Sequence, residues 1–194
     1  GKDRIVVNCG AHRGDSADWQ TAQRTTAAHS TITIEDQNAA EIFAGGGIGE
    51  QIKAVLVERR EADGSIWIDS SQDGYSHPFG ITHQRRLYLS ANGGDLRGED
   101  SLTGDGGRKF VARFHLHPAV RASLVQEGSS VLLRLASGEG WRFRASGGVI
   151  SLQESVYLGI RDNVKRTEQI VVSSATQNGE GQLKWAFTRL AKEN

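Results

Sequence analysis

The stretch KFVARFHLH, Lys109–His117, has the clearest strand pattern in the chain. Apolar residues occupy every second position from Phe110 to Leu116, and polar residues such as Arg113 lie between them. Successive side chains of a strand point to opposite faces, so this alternation predicts a β-strand with one face in a core. Pro118 follows and ends the pattern, because proline cannot donate to a strand ladder.

The same alternation recurs along most of the chain at spacings of roughly 8 to 12 residues. Asp63-Gly64 separates two such stretches and is a strong hairpin signal. The chain has 24 glycines and two prolines, which suits many tight turns. No segment shows a long helical period. The pattern predicts an all-β fold, a multi-stranded antiparallel β-sandwich of two or more layered sheets with negligible helix, as a single domain over residues 1–194.

Two regions interrupt the strand pattern. Residues 70–80 read SSQDGYSHPFG and predict a polar insertion rich in turns. Residues 96–107 read LRGEDSLTGDGG, and their charges and glycines predict a loop.

Composition restricts the classes of partner. The 23 basic and 23 acidic residues give a formal net charge of zero, so no nucleic acid or anionic membrane partner is predicted. Cys9 is the single cysteine, which excludes an intrachain disulfide, and no apolar run is long enough to span a membrane. The chain begins GKDRIVVNCG without methionine or a signal-peptide pattern, so we expect a part of a longer protein. The compartment, periplasm or cytoplasm, stays open.

His29 is the first candidate functional residue, in the stretch RTTAAHSTITIED of residues 24–36. Ile32 and Ile34 alternate with polar residues, which predicts a strand directly after the histidine. Small neighbours leave an imidazole accessible, and a strand end is a fixed platform. Arg24 accompanies His29 in this cluster. The alternative is a structural histidine that only bonds a loop carbonyl.

A second cluster contains Tyr75, His77, His83, Arg85 and Arg86. Guanidinium groups bind carboxylate or sulfate at two points, so arginines beside an aromatic residue suit an anionic or hydroxylated substrate. The alternative is a solvated sheet edge whose charges prevent aggregation. A Ser-His-Asp hydrolase is not supported, because the chain has no G-x-S-x-G motif.

His115 and His117 form the third cluster. Residues i and i+2 of a strand face the same side, so the two imidazoles could hold one metal ion. No third histidine or carboxylate lies at a spacing that indicates a metal site. A histidine at a strand end, before Pro118, can also simply form a hydrogen bond with the backbone. These residues remain candidates, and no metal site is assigned.

Several strings of the sequence resemble the C-terminal domain of bacterial heparinase II/III-like proteins, a group within the polysaccharide lyases. They follow in order from about Val6 to Val172 and read RTTAAHSTITIED, SSQDGYSHPFGITHQRRLYLS, DLRGEDSL, RFHLHPAV, GEGWRFRA, ISLQESVYLG and RTEQIVV. The resemblance implies a layered β-sandwich here and an N-terminal (α/α) toroid that this chain lacks. Members with known activity cleave uronic-acid-containing glycans by β-elimination.

The resemblance also implies roles for single residues. A sandwich histidine in a His-Asn/Ser-Thr motif lies at the cleft of such proteins and matches His29 in AAHST, where it would neutralise the uronate carboxylate or transfer a proton. It would act with a Tyr and an Asn or His of the toroid, so the isolated chain should have little or no lyase activity. The expected partners are an acidic polysaccharide or oligosaccharide and the toroid. Independently of the resemblance, side-chain chemistry gives Arg24, Tyr75, His83, Arg85 and Arg86 as the expected substrate-binding residues.

One position departs from the family pattern. Relatives usually have HDGY, and some hold a structural zinc ion, whereas this chain has Gln72 in place of that histidine. Glutamine is a poor zinc ligand, so no cofactor is expected. Two alternatives to a lyase stay open. One is a non-catalytic carbohydrate-binding module with Trp19, Tyr75, Arg85 and Arg86 as its sugar platform, and the other is a structural sandwich for subunit or cell-envelope contact.

Overall fold

The structure, a computed structural model, describes residues 3–44, 46–160 and 163–191. The predicted domain, residues 1–194, includes the positions outside these ranges as well. Strands account for 55% and helices for 7%, which confirms the all-β prediction. None of the helices in the described ranges is long and apolar enough to cross a membrane.

The described strands number thirteen. In chain order they are β1 (Val6–Val7), β2 (Ile32–Ile34), β3 (Val55–Ala62), β4 (Ser65–Gln72), β5 (Thr82–Leu89), β6 (Asp95–Thr103), β7 (Lys109–Leu116), β8 (Arg121–Val125), β9 (Ser130–Arg134), β10 (Gly140–Ser146), β11 (Val149–Ile160), β12 (Asn163–Ala175) and β13 (Glu180–Arg189). The helical segments are α1 (Ala17–Ala22), α2 (Ser76–Phe79) and a 3₁₀ turn at Thr26–Ala28.

The strands form two antiparallel sheets. In the small sheet, β1 and β2 both pair with β7, which pairs with β12, and β12 pairs with β11. The large sheet has the order β3-β4-β5-β6-β13-β10-β9-β8. The predicted antiparallel sandwich is therefore confirmed.

The apolar face of β7 joins the two sheets. Phe110, Ala112, Phe114 and Leu116 are at most 2% exposed. The Phe114 ring lies 4.8 Å from the Trp185 ring and 5.1 Å from the Phe143 ring, centroid to centroid, and both partners belong to the large sheet. The alternation that predicts this strand thus also identifies the residues between the layers.

The prediction of a loop over residues 96–107 is wrong. β6 occupies most of that range and pairs with β5 and β13 in the middle of the large sheet. Its buried positions are Gly98, Asp100 and Leu102. A glycine and a carboxylate occupy positions where a buried strand face usually has apolar side chains. The hydrophobic pattern of the sequence therefore does not indicate this strand.

Candidate functional site

His29 lies between the 3₁₀ turn and β2, in a segment that we call the histidine loop, residues 26–30. Its backbone N–H donates to the Thr26 carbonyl at 3.1 Å, and its carbonyl accepts from the Thr31 N–H at 2.9 Å. The side chain is half-buried and makes no hydrogen bond with any described residue. The imidazole is therefore available to a ligand while its backbone is held.

Contacts from several elements fix the backbone of the histidine loop. The Nε2 of His115 donates to the Ala27 carbonyl, and the Cys9 N–H donates to the Ala28 carbonyl, each at 2.9 Å. The hydroxyl of Ser30 accepts from the His115 N–H at 2.9 Å. The loop is thus attached on both sides of the histidine that it carries, as a preorganised site requires.

His115 is a buried support for this loop. A carbonyl only accepts hydrogen bonds, so the Nε2 of His115 carries the proton, and its Nδ1 accepts from the Ser155 hydroxyl at 2.8 Å. Burial lowers the pKa of His115, which keeps the ring neutral at pH 7. The Nδ1 of His117 accepts from the Ala119 N–H at 3.2 Å. Both nitrogens of His115 are engaged by the protein, and the described residues contain no cluster of three metal-ligating side chains.

A buried carboxylate, Asp100, lies behind the histidine loop. Its side chain has no exposed surface. Oδ1 accepts from the Nε2 of His83 at 2.8 Å and from the Nε of Arg85 at 2.6 Å. Oδ2 accepts from the Nη2 of Arg85 at 3.0 Å and from the indole N–H of Trp185 at 2.8 Å. Burial by itself raises the pKa of this carboxyl, but the His83 hydrogen bond and the Arg85 charge outweigh it and hold the pKa at about 2.

Arg85 connects this carboxylate to the histidine loop. Its remaining nitrogen, Nη1, donates to the Ser30 carbonyl at 2.8 Å. His83 and Arg85, both expected from the sequence to bind substrate, therefore converge on Asp100 inside the sandwich. The residue that brings them together was missed, because Asp100 lies in the stretch predicted as a loop.

Tyr75 also faces the interior. It is 0% exposed, so its ring contacts no ligand in this conformation. Its hydroxyl donates to the Ile32 carbonyl at 3.1 Å, which ties the insertion after β4 to the strand that follows His29. Burial raises the pKa of Tyr75 to about 12, which keeps the hydroxyl protonated as a donor.

The remaining expected binding residues lie at different places. Arg24 is exposed after α1, and its guanidinium lies beside Gly46. Arg86 points away from the core and forms ion pairs with Asp69 at 3.1 Å and Glu99 at 3.7 Å. The structure thus brings Tyr75, His83 and Arg85 to the inner side of the site and leaves the two other arginines outside it, so the sugar platform that combined Tyr75 with Arg86 is not a single surface.

The Gln72 and His83 side chains do not fit the role of zinc ligands in this structure. The Gln72 side-chain oxygen accepts from the Gly74 N–H at 2.6 Å. His83 is the register partner of Gln72, but its Nε2 is hydrogen-bonded to Asp100. The amide and the imidazole are engaged within the protein, and glutamine is a poor zinc ligand in any case.

Comparison with known proteins gives one family and several related structures. The model of the family described as heparinase II/III-like, C-terminal, matches residues 1–186. The heparan sulfate lyase HepC from Pedobacter heparinus superimposes with a TM-score of 0.77 at 13% identity, over 98% of this chain and 29% of that one. A heparinase III with methylated lysines gives 0.76 at 11% identity, over 97% of this chain and 28% of that one. At such identities these structures show the fold.

A curated relative is more similar in sequence. FtsZ-localized protein C of Caulobacter vibrioides is 33% identical over 207 residues, which cover 97% of this chain and 35% of that protein. The chain therefore spans about a third of the length of this relative. It spans a smaller share of the length of each of the two solved lyase structures.

Proposed function

This chain belongs to the heparinase II/III-like C-terminal family, and we propose that it is the sandwich part of a polysaccharide lyase-like protein that acts on uronic-acid-containing glycans by β-elimination. That reaction has three requirements. The uronate carboxylate must be neutralised so that the C5 proton becomes acidic, a base must remove this proton, and the leaving oxygen must be protonated.

The availability of His29 is the observation that carries this proposal. Its imidazole has no partner among the described residues, on a loop whose backbone is fixed from both sides. An imidazole can donate a hydrogen bond to a carboxylate or exchange a proton with a sugar oxygen near neutral pH. We assign His29 one of these two steps, with the complementary groups supplied by the N-terminal part of the longer protein.

The other residues of the proposed site divide into two roles. Arg24 is exposed and has the chemistry to contact a substrate carboxylate. Tyr75, His83 and Arg85 act through the protein, since they hold the histidine loop and the strand after it. Their contribution is the position of the imidazole, and an error of about 1 Å in such a position can cost on the order of a hundredfold in rate.

The test uses the full-length protein with uronic glycans and follows the ultraviolet absorbance of the unsaturated product. His29→Ala should lower the rate by about 100-fold or more, the range expected for loss of a proton-transfer group. Its thermal unfolding should stay unchanged, because the imidazole makes no hydrogen bond in the described structure. His12→Ala removes a half-buried histidine elsewhere and serves as the matched control. Equal rates for wild type and His29→Ala would exclude the catalytic role.

A second function is favoured by the 33% identity with FtsZ-localized protein C, against 13% with the heparan sulfate lyase. In that case the chain is part of a protein that acts at FtsZ without cleaving a glycan. Experiments on the same full-length protein discriminate between the two proposed functions. Co-sedimentation with FtsZ polymers, together with no product from any uronic glycan, favours the second function. Product formation that depends on His29 favours the first.

A further inference from the structure

The outer face of the large sheet carries a groove that faces away from the small sheet. Its volume is about 630 Å³, and β4, β5, β6, β13 and β10 form its floor. The side chains that line this outer groove include Trp67, Arg86, Tyr88, Glu99, Arg144 and Lys184. Neighbouring residues of a strand point to opposite faces, so Arg86 enters the groove while Arg85 points inward to Asp100.

Positive charge is concentrated in the outer groove. Four cations, Arg86, Arg97, Arg144 and Lys184, line it with a single carboxylate, Glu99. Glu99 is shared between Arg86 at 3.7 Å and Lys184 at 3.5 Å, and Arg144 forms no ion pair with a described residue. Arg97 also pairs with Asp95 at 2.7 Å, and Arg86 also pairs with Asp69 at 3.1 Å, so the four lining cations exceed the three carboxylates that contact them by one positive charge.

An aromatic pair lies at one end of the groove. Trp67 of β4 and Tyr88 of β5 are register partners, with ring centroids 5.3 Å apart at an interplanar angle of 47°. Trp67 keeps 37% of its surface exposed, although an indole gains by burial. Exposed aromatic faces next to cations form a surface on which a flat, partly apolar and anionic ring can lie.

We propose that the outer groove binds an acidic polysaccharide as a second site, separate from the one at His29. Guanidinium groups hold carboxylates or sulfates at two points, and the aromatic pair packs against the sugar ring. The proposal rests on the proposed function for the class of glycan. The large sheet lies between the groove and the Asp100–Arg85 contacts, so a glycan held in the groove leaves the histidine loop uncovered.

Glu99 favours a glycan over a nucleic acid. A carboxylate can accept hydrogen bonds from sugar hydroxyls, whereas it repels phosphates. A nucleic acid strand carries one charge per about 3.4 Å, and Glu99 and Asp69 pair with Arg86 from two sides, so a phosphate bound at Arg86 would lie close to both carboxylates. A groove whose cations lie beside a carboxylate suits a polymer whose charges are spaced between neutral hydroxylated rings.

The experiment measures binding of the full-length protein to immobilised heparan sulfate, with dextran as a neutral reference. All proteins carry His29→Ala, so that turnover does not interfere. The double variant Arg144→Ala/Lys184→Ala should weaken binding at least tenfold, and Trp67→Ala should weaken it as well although it changes no charge. The control Lys109→Ala/Lys165→Ala removes two exposed cations of the small sheet and should change the affinity less than twofold.

Three results would overturn the proposal. They are unchanged binding by both groove variants, an equal loss in the small-sheet control, and tighter groove-dependent binding of a single-stranded oligonucleotide than of heparan sulfate. Circular dichroism verifies that each variant is folded. Groove-dependent binding, together with no lyase activity of the full-length protein that retains His29, would support this site and reject the proposed function. Lyase activity that depends on His29, with binding insensitive to the groove, would reject this site alone.

Discussion

At the scale of single residues, the position of His29 depends on a charge buried in the core. Asp100 has no exposed surface, yet both of its oxygens are satisfied by His83, Arg85 and Trp185. A buried carboxylate without partners costs several kcal/mol, whereas one with a full set of donors is tolerated. Arg85 compensates the charge and still has one nitrogen left to hold the Ser30 carbonyl.

Acid should destabilise the fold through Asp100. Its folded-state pKa is about 2, below the ordinary value of 3.8. A lowered folded-state pKa stabilises the fold above the unfolded-state pKa, and this contribution is lost as pH falls from about 4 to about 2. The shift corresponds to about 2 kcal/mol. Urea denaturation of the chain between pH 7 and pH 2 measures it.

The variant Asp100→Asn tests the assignment. At pH 7 it should lower the free energy of unfolding by about 3–5 kcal/mol, because Arg85 loses its buried partner. It should also lose part of the acid dependence between pH 4 and pH 2. Asp69→Asn removes a partly exposed carboxylate that also contacts an arginine, and serves as the control. The same acid slope in Asp100→Asn and wild type would contradict the assignment.

The sequence reveals His29 more readily than Asp100 for a physical reason. His29 has a local signature, because small neighbours and an alternating strand are adjacent to it in the chain. The partners of Asp100 lie on β5 and β13, and Trp185 is 85 positions away. A carboxylate is buried only when such partners arrive, so its burial is a property of tertiary structure that a local pattern does not contain.

At the scale of elements, β6 and β7 show what hydrophobic patterning detects. In β7 each inward position is apolar, and its alternation is enough to predict the strand. In β6 the inward positions include Gly98 and Asp100, so the same period is present without its hydrophobic signal. Two of the inward residues of β6 contact Trp185, because its ring packs over Gly98 and its N–H donates to Asp100.

Gly98→Ala should therefore be destabilising although its backbone is ordinary strand. A Cβ at this position would overlap the Trp185 ring, and overpacking of this kind costs about 1–3 kcal/mol. Gly47→Ala is the control, because a Cβ there meets only the Phe43 side chain, at 3.4 Å or more, an ordinary contact. Thermal unfolding of both variants measures the difference. A Gly98→Ala transition at or above that of wild type would show that Trp185 does not depend on the glycine.

At the scale of the whole molecule, the large sheet separates two chemically different faces. Its inner face holds the carboxylate and arginine that support the histidine loop, and its outer face holds the basic groove. Arg85 and Arg86 were expected to form one binding cluster because they are neighbours in sequence. Strand geometry sends them to opposite faces, which follows from the period of 2 as soon as β5 is recognised as a strand. The sandwich was predictable from the alternation of apolar and polar residues. Which face of each strand points to the interior could be assigned only from the strand pairing in the structure.

Phe114 is a buried side chain of the small sheet that contacts three aromatic rings of the large sheet. Its ring is 2% exposed and lies within 5.7 Å of the Phe143, Trp185 and Phe187 rings, centroid to centroid. Phe114→Ala should lower the free energy of unfolding by about 3–5 kcal/mol, because it leaves a cavity between layers that cannot collapse without moving a strand. Val149→Ala, at a position 74% exposed, should stay within about 0.5 kcal/mol.

Urea denaturation of the two variants compares a side chain between the sheets with one at the surface. Phe114→Leu should recover part of the loss, because it refills some of the volume while it removes the aromatic contacts, which add about 0.5–1.5 kcal/mol to burial. The same sheet carries β2, which pairs with β7 directly after the histidine loop. Phe114→Ala should therefore also lower the lyase activity that depends on His29, measured in the full-length protein under conditions where the variant remains folded. A Phe114→Ala loss below about 1 kcal/mol would show that the layers are held by other contacts.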